Sequence, residues 1–152
     1  MPLIRPKDFP DHHDAELVLK LYDLRREASM REARALINRE FWPASAEQVV
    51  AVLKPDHPLN TAYRQTSSYW EMAYGMARLG VIHPDFLVES NGHEGLLLFA
   101  RVEPWLAELR AASSPRVMLS AEWIARASPV GREFLERFRA RVRATLAQRA
   151  GA

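Results

Sequence analysis

The chain reads as an all-α protein, a compact bundle of about six to eight helices, some of them short. Three observations carry this. Apolar side chains recur three and four residues apart over most of the length. Capping residues and helix-stopping prolines or glycines punctuate those runs. No stretch of useful length alternates apolar and polar residues as a half-buried strand does.

Pro2, Pro6 and Pro10 make residues 1–13 an extended arm, and residues 14–150 are read as one helical domain. Asp14 is placed as the N-cap of a first helix in which Leu17, Val18, Leu21 and Leu24 recur. Ser29 and Glu32 have capping-box spacing and open a second helix carrying Met30, Ala33, Ile37 and Phe41, which Pro43 stops. Ser45 and Gln48 repeat that spacing before a short helix over 46–53. Asn60 is expected to cap a long helix reaching Leu79, with Gly80 in the left-handed conformation that ends helices. Pro84 suits the first position of a short helix that Ser90, Asn91 and Gly92 end, with Asn91 or Gly92 at positive φ. A helix over 93–112 contains Pro104, which removes an amide and crowds the Ala100 carbonyl, so a kink or break is expected there. Two last helices follow over 115–127 and 129–149.

Bulk composition narrows the function classes. The 152 residues are 48% hydrophobic and 26% charged, which is globular composition. The longest unbroken apolar run covers only residues 96–100, far short of the ~20 a membrane span needs. The opening "MPLIRPKDFP" has no apolar core of a secretory signal, so a cytoplasmic protein is expected. Without cysteine there are no disulfides, thiolate nucleophiles or cysteine-ligated metals. Net charge is only +2, and 18 of the 21 basic residues are arginine, a skew typical of genome composition that gives little weight to nucleic-acid binding.

The stretch "SSYWEMAYGMARLG" places one carboxylate, Glu71, among Tyr69, Trp70 and Tyr74. On a helix, Ala62, Tyr63, Thr66, Tyr69, Trp70, Ala73, Met76 and Ala77 share one wide face, with Met72, Tyr74 and Leu79 on its flanks. Arg64, Ser68, Glu71, Gly75 and Arg78 stack along a separate narrow stripe. Gly75 costs ~1 kcal/mol relative to alanine in mid-helix, which marks a place where a second element can approach. Glu71 would then be partly buried and need a hydrogen bond or an arginine, with Arg25, Arg26, Arg31 and Arg34 as candidates.

Other motifs have plain structural readings. "DHHD" at 11–14 collects metal-ligand residue types, but adjacent histidines on extended chain diverge, and the segment suits a helix N-terminus; no metal is expected. No Rossmann, Walker or G-x-S-x-G pattern occurs, so no cofactor is expected either. The last helix puts Phe134, Leu135, Phe138, Val142 and Leu146 on one side, with six arginines against two glutamates elsewhere. That pattern fits a core helix with a basic solvated face, a dimer contact, or a phosphate-facing surface.

Two resemblances add to this. "RLGVIH", with Arg78 and His83 in R-x4-H spacing, resembles the signature of HEPN ribonucleases, also all-α, but Leu79 replaces their polar residue and helix breakers flank His83. The ordered set "LVLKLYDLRREASMREAR", "SYWEMAYGMARLGVI", "NGHEG" and "LLLFARVEPWLAELR" resembles a family of short uncharacterised bacterial all-helical proteins of unknown function, over roughly residues 14–112. Some of these are distantly similar to helical domains found near phage-exclusion systems. The resemblance implies a bacterial helical protein and assigns no catalytic residue.

The expected function is a non-enzymatic helical interaction or scaffold module that self-associates, as a homodimer. One alternative is an RNA-directed binder or nuclease using Arg78, His83 and the basic last helix. Another is a small-ligand site around Glu71 lined by Tyr69 and Trp70.

Overall fold

The computed structural model describes residues 7–152, and within them every regular element is helical. Eight α-helices of six residues or more are α1 (His12–Arg26), α2 (Ala28–Glu40), α3 (Ala46–Ala51), α4 (Asn60–Arg78), α6 (Glu94–Val102), α7 (Leu106–Ala112), α8 (Leu119–Ala127) and α9 (Pro129–Ala150), with a single turn α5 at Pro84–Leu87. The all-α expectation holds. Residues 1–6 of the expected extended arm lie outside the described residues, and its last two, His12 and His13, already belong to α1.

Boundaries moved where another residue caps better. Asp11, not Asp14, is the N-cap of α1: its carboxylate accepts the amides of His13 and Asp14, while the Asp14 carboxylate accepts the Asp11 amide at 2.7 Å. Glu27 separates α1 from α2 by turning extended, at ψ 146°, and no Ser29 capping box forms. Asn60 does not cap α4; its Nδ2 donates 2.9 Å to the Val52 carbonyl and ties α4 to the end of α3. Gly80 is left-handed as expected, φ 81°. Ser90, Asn91 and Gly92 do not form a turn with positive φ. They lie in a π-helical turn, Val88–Gly92, that carries the helix on toward α6. The wider turn leaves Asn91 buried, with its Nδ2 on the Val18 carbonyl at 3.2 Å. Pro104 breaks the next helix as expected, with a 3₁₀ turn at Glu103–Trp105 between α6 and α7. Residues 115–118 are turns, so α8 starts at Leu119 and not at Pro115, and Met118 before it takes φ 56°.

The central element is α4, packed between α2 and α8 and touching α5 and α6. α6 is covered by α9 and α8, α1 lies on α2 and the α5 and π turns, and α3 packs on α7. The buried face of α4 is the one its periodicity suggests, and only its flanks differ: Tyr74 is fully buried, whereas Met72 and Leu79 are exposed. The cause is Gly95 on α6, where a Cβ would lie 2.4 Å from the Tyr74 hydroxyl and 2.7 Å from Trp70 Cγ. With no side chain at 95, the two aromatics close directly onto the α6 backbone. Residues 95–102 are all buried, so α6 is the helix enclosed on every side.

One charge lies inside that enclosed helix. Arg101 is 2% exposed, and its guanidinium donates to the carbonyls of Ile37 and Phe41, both at 2.9 Å, and to Asn38 Oδ1 at 3.0 Å. These groups form the C-terminus of α2, where carbonyls run short of helix amides, although the Ile37 carbonyl also accepts the Phe41 amide at 3.0 Å. Trp42 stacks on the guanidinium at 4.8 Å and on Arg149, from the end of α9, at 5.9 Å.

Candidate functional site

The polar stripe of α4 meets the N-terminus of α8. Glu71 Oε2 accepts the Ser120 amide at 3.0 Å and Oε1 the Ala121 amide at 2.8 Å. A helix N-terminus exposes unpaired amides and a partial positive charge, and a capping side chain from the preceding residue normally meets them. Met118, in that position, has no such side chain. Its left-handed backbone swings α8 so that a carboxylate from another helix caps it. Arg78 completes the contact, its Nε donating 3.2 Å to Ser120 Oγ. α8 is therefore the element that approaches Gly75, and Glu71 is satisfied by amides and not by an arginine; Arg34 instead pairs with Glu94 through both oxygens, at 2.6 and 2.5 Å.

Two expected results follow from this junction. Glu71→Ala leaves two amides half-buried and uncapped, and should cost about 1–2 kcal/mol in denaturant unfolding, with Glu71→Gln costing less. Gly75→Ala should be tolerated, because a Cβ there would sit 3.5 Å from Ser120 Oγ, an ordinary contact. Helix propensity then predicts a gain of about 0.5–1 kcal/mol.

Tyr69 and Trp70 face away from Glu71, into the core. The Tyr69 hydroxyl donates to the Leu21 carbonyl, and burial pushes its pKa up to about 12. Trp70 packs edge-on against Tyr69 with centroids 4.9 Å apart and stacks on Tyr74 at 5.8 Å. The depression beside Glu71 is shallow, about 220 Å³, and is lined by Arg64, Ser67, Ser68 and Met118, with neither aromatic among them. His83 serves as the N-cap of α5: its Nδ1 accepts the Phe86 amide at 3.2 Å, and its own amide donates to Asp14 Oδ1 at 3.1 Å. Arg78 and His83 are thus engaged by different helix N-termini and share no partner. The five residues singled out in the sequence are joints of the bundle and are not gathered around one space.

The "DHHD" segment is likewise a joint. Asp14 is fully buried and joins the N-termini of α1 and α5, while Lys7 bridges Asp11 and Asp14 at 3.0 Å each. The Lys7 ammonium, with the Asp14 amide, holds the Asp11 carboxyl down at about 2. Among the described residues no three histidine or acidic side chains converge as a metal site would need.

A larger opening lies elsewhere, between α6, α8 and α9, and nothing in the sequence reading pointed to it. It has a volume of about 560 Å³. Phe99, Leu106, Ala125 and Leu135 form its floor. Its walls are ionic: Glu103 and Glu136 flank Arg139 at one end, and Glu122, Arg126 and Arg132 stand at the other. Arg139 grips Glu103 with two nitrogens, one at 3.0 Å, and also holds Glu136. Glu122 lies 3.5 Å from Arg110 and 3.6 Å from Arg126, and Arg132 donates to the Arg126 carbonyl. The sequence signal was the alternation of glutamate and arginine along α9, which shows its partners only once α6 and α8 are placed beside it.

Fold and site together define an all-α protein whose prominent cavity is built by its C-terminal helix against a helical core. Residues 10–128 match the family described as Domain of unknown function (DUF4760), and the chain belongs to that family. The match ends where α9 begins. No curated protein and no solved structure matches the chain. Among the described residues no helix is long and apolar enough to cross a membrane.

Proposed function

We propose that this protein is a non-catalytic helical interaction module that pairs with a second copy of itself through α1. The supporting observation is a stripe on α1 formed by Ala15, Leu19 and Tyr22, in which Leu19 is 64% exposed. Arg25 and Arg26 stack on the Tyr22 ring at 5.5 and 5.2 Å and hold it flat on the surface. Charge along the helix favours self-pairing: the exposed Glu16 lies near its start, Arg25 and Arg26 in its last turn. Two α1 helices packed antiparallel about a two-fold axis set each acidic start against the partner's basic end, as an isologous interface requires. A contact between two 15-residue helices is small, below about 1,200 Å² in total, so a weak, concentration-dependent dimer is expected.

The non-catalytic reading is supported by the use of Glu71, Arg78 and His83 as helix caps and cap partners, each holding a backbone or hydroxyl group of the fold. A cytoplasmic setting accords with a cysteine-free chain, which needs no oxidising compartment. Sedimentation equilibrium over a concentration series tests the pairing. A monomer–dimer equilibrium is expected for the native protein, weakened at least tenfold in Leu19→Glu with the circular dichroism unchanged. A native protein that stays monomeric to millimolar concentration overturns the proposal.

A further inference from the structure

We infer that the opening between α6, α8 and α9 is a binding site for a small amphipathic anion, an apolar body ending in a carboxylate or phosphate. Three features point to this chemistry. The floor is apolar: Phe99, Leu106, Ala125 and Leu135 line it, so a ligand body resting there exchanges water for hydrocarbon. A volume of about 560 Å³ lies in the range of small-molecule pockets. The walls are electrically polarised. At the α8 end the lining guanidiniums of Arg126 and Arg132 stand with one carboxylate, Glu122, a local excess of one positive charge. At the other end Arg139 stands between two carboxylates, an excess of one negative charge.

Arg132 is the anchor. Its only side-chain hydrogen bond among the described residues is from one terminal nitrogen to the Arg126 carbonyl, at the end of α8. That bond parks the guanidinium at the mouth with its remaining N–H groups unspent. Arg126, 77% exposed, sits one turn from Glu122 and can swing to meet the same ligand. Two forked guanidiniums over one opening suit a planar carboxylate or a phosphate, which take paired N–H donors. The acidic far end disfavours a second anionic group there, so the ligand carries its charge at one terminus.

The site also has a definite origin in the chain. Phe99, Glu122, Ala125 and Arg126 fall within the family-matched residues, whereas Arg132, Leu135, Glu136 and Arg139 come from α9 beyond residue 128. The helix that closes the core is the helix that creates the pocket. None of its lining residues belongs to the α1 stripe, so pairing and ligand binding stand or fall separately.

The test is titration of the full chain by isothermal calorimetry and amide chemical-shift mapping, with four probes: octanoate, octyl phosphate, inorganic phosphate and octylammonium. Saturable binding of octanoate or octyl phosphate at submillimolar concentration is expected, with shifts centred on 122–139. The tighter of the two names the headgroup. Inorganic phosphate alone should bind at least tenfold more weakly, and octylammonium should not saturate. Arg126→Gln with Arg132→Gln changes only exposed side chains, so the fold should persist while anion affinity drops at least tenfold. Absence of saturation with both octyl anions, equal binding of octylammonium, or undiminished affinity in the double variant overturns the assignment.

Discussion

Arg101→Met should cost about 3–5 kcal/mol, one of the two largest losses expected of any single substitution in this chain. Methionine nearly fills the space but donates nothing. The Phe41 carbonyl and the Asn38 side-chain oxygen would then be enclosed without their guanidinium donors, the Ile37 carbonyl would keep only the Phe41 amide, and each buried polar group left unpaired costs about 1–3 kcal/mol. The stack on Trp42 and the favourable charge at the C-terminus of α2 disappear as well. Burial pulls the Arg101 pKa down to about 10, which still leaves it charged at neutral pH. The fold thus holds a desolvated cation on carbonyls alone, with no carboxylate in contact. Arg101→Lys keeps the charge and loses the fork, so it should fall between the native protein and the methionine variant. Chemical denaturation followed by circular dichroism measures both; a loss below 1 kcal/mol for Arg101→Met would refute this account of the α2 terminus.

Gly95→Ala is the second large effect. The added methyl would lie 2.4 Å from the Tyr74 hydroxyl and 2.7 Å from Trp70 Cγ, well inside contact distance. Neither ring can retreat easily. Tyr74 is fully buried and its hydroxyl donates to the Gly92 carbonyl, while Trp70 is held between Tyr69 and Tyr74. Helix propensity favours alanine by only ~1 kcal/mol. Overpacking of a rigid site costs about 1–3 kcal/mol or more, so steric repulsion wins and net destabilisation is expected. Gly75→Ala is the matched control, with the same chemical change and the opposite expected sign. If both glycines respond alike to alanine in parallel melts, the close approach of α6 to α4 is not as described.

Periodicity carried most of the architecture. The buried stripe of α4, the break at Pro104 and the left-handed Gly80 were all legible, because each depends on residues near one another in the chain. What escaped depends on distant partners. Local spacing offered Ser29 and Asn60 as caps, but Glu27 and Leu59 precede those helices without any capping side chain, and tertiary packing sets where they start. Glu71 was singled out correctly as a carboxylate needing partners, yet those partners were backbone amides fifty residues away, which no residue type announces. Arg101 did leave a trace: it is the lone charge in the middle of an apolar run from Leu96 to Val102. The cavity left almost none, because its walls come from three helices and its charges are mutually compensated.

The placement of α9 bears on how the chain is made. α6 and α8 are synthesised before the 22 residues of α9 that cover them. At about 5–20 residues per second, their greasy flanks wait roughly one to four seconds for Leu135 and Val142 and the rest of α9 to be added. A released chain cut short before residue 129 lacks that cover altogether and should be far less soluble than one that ends after residue 150.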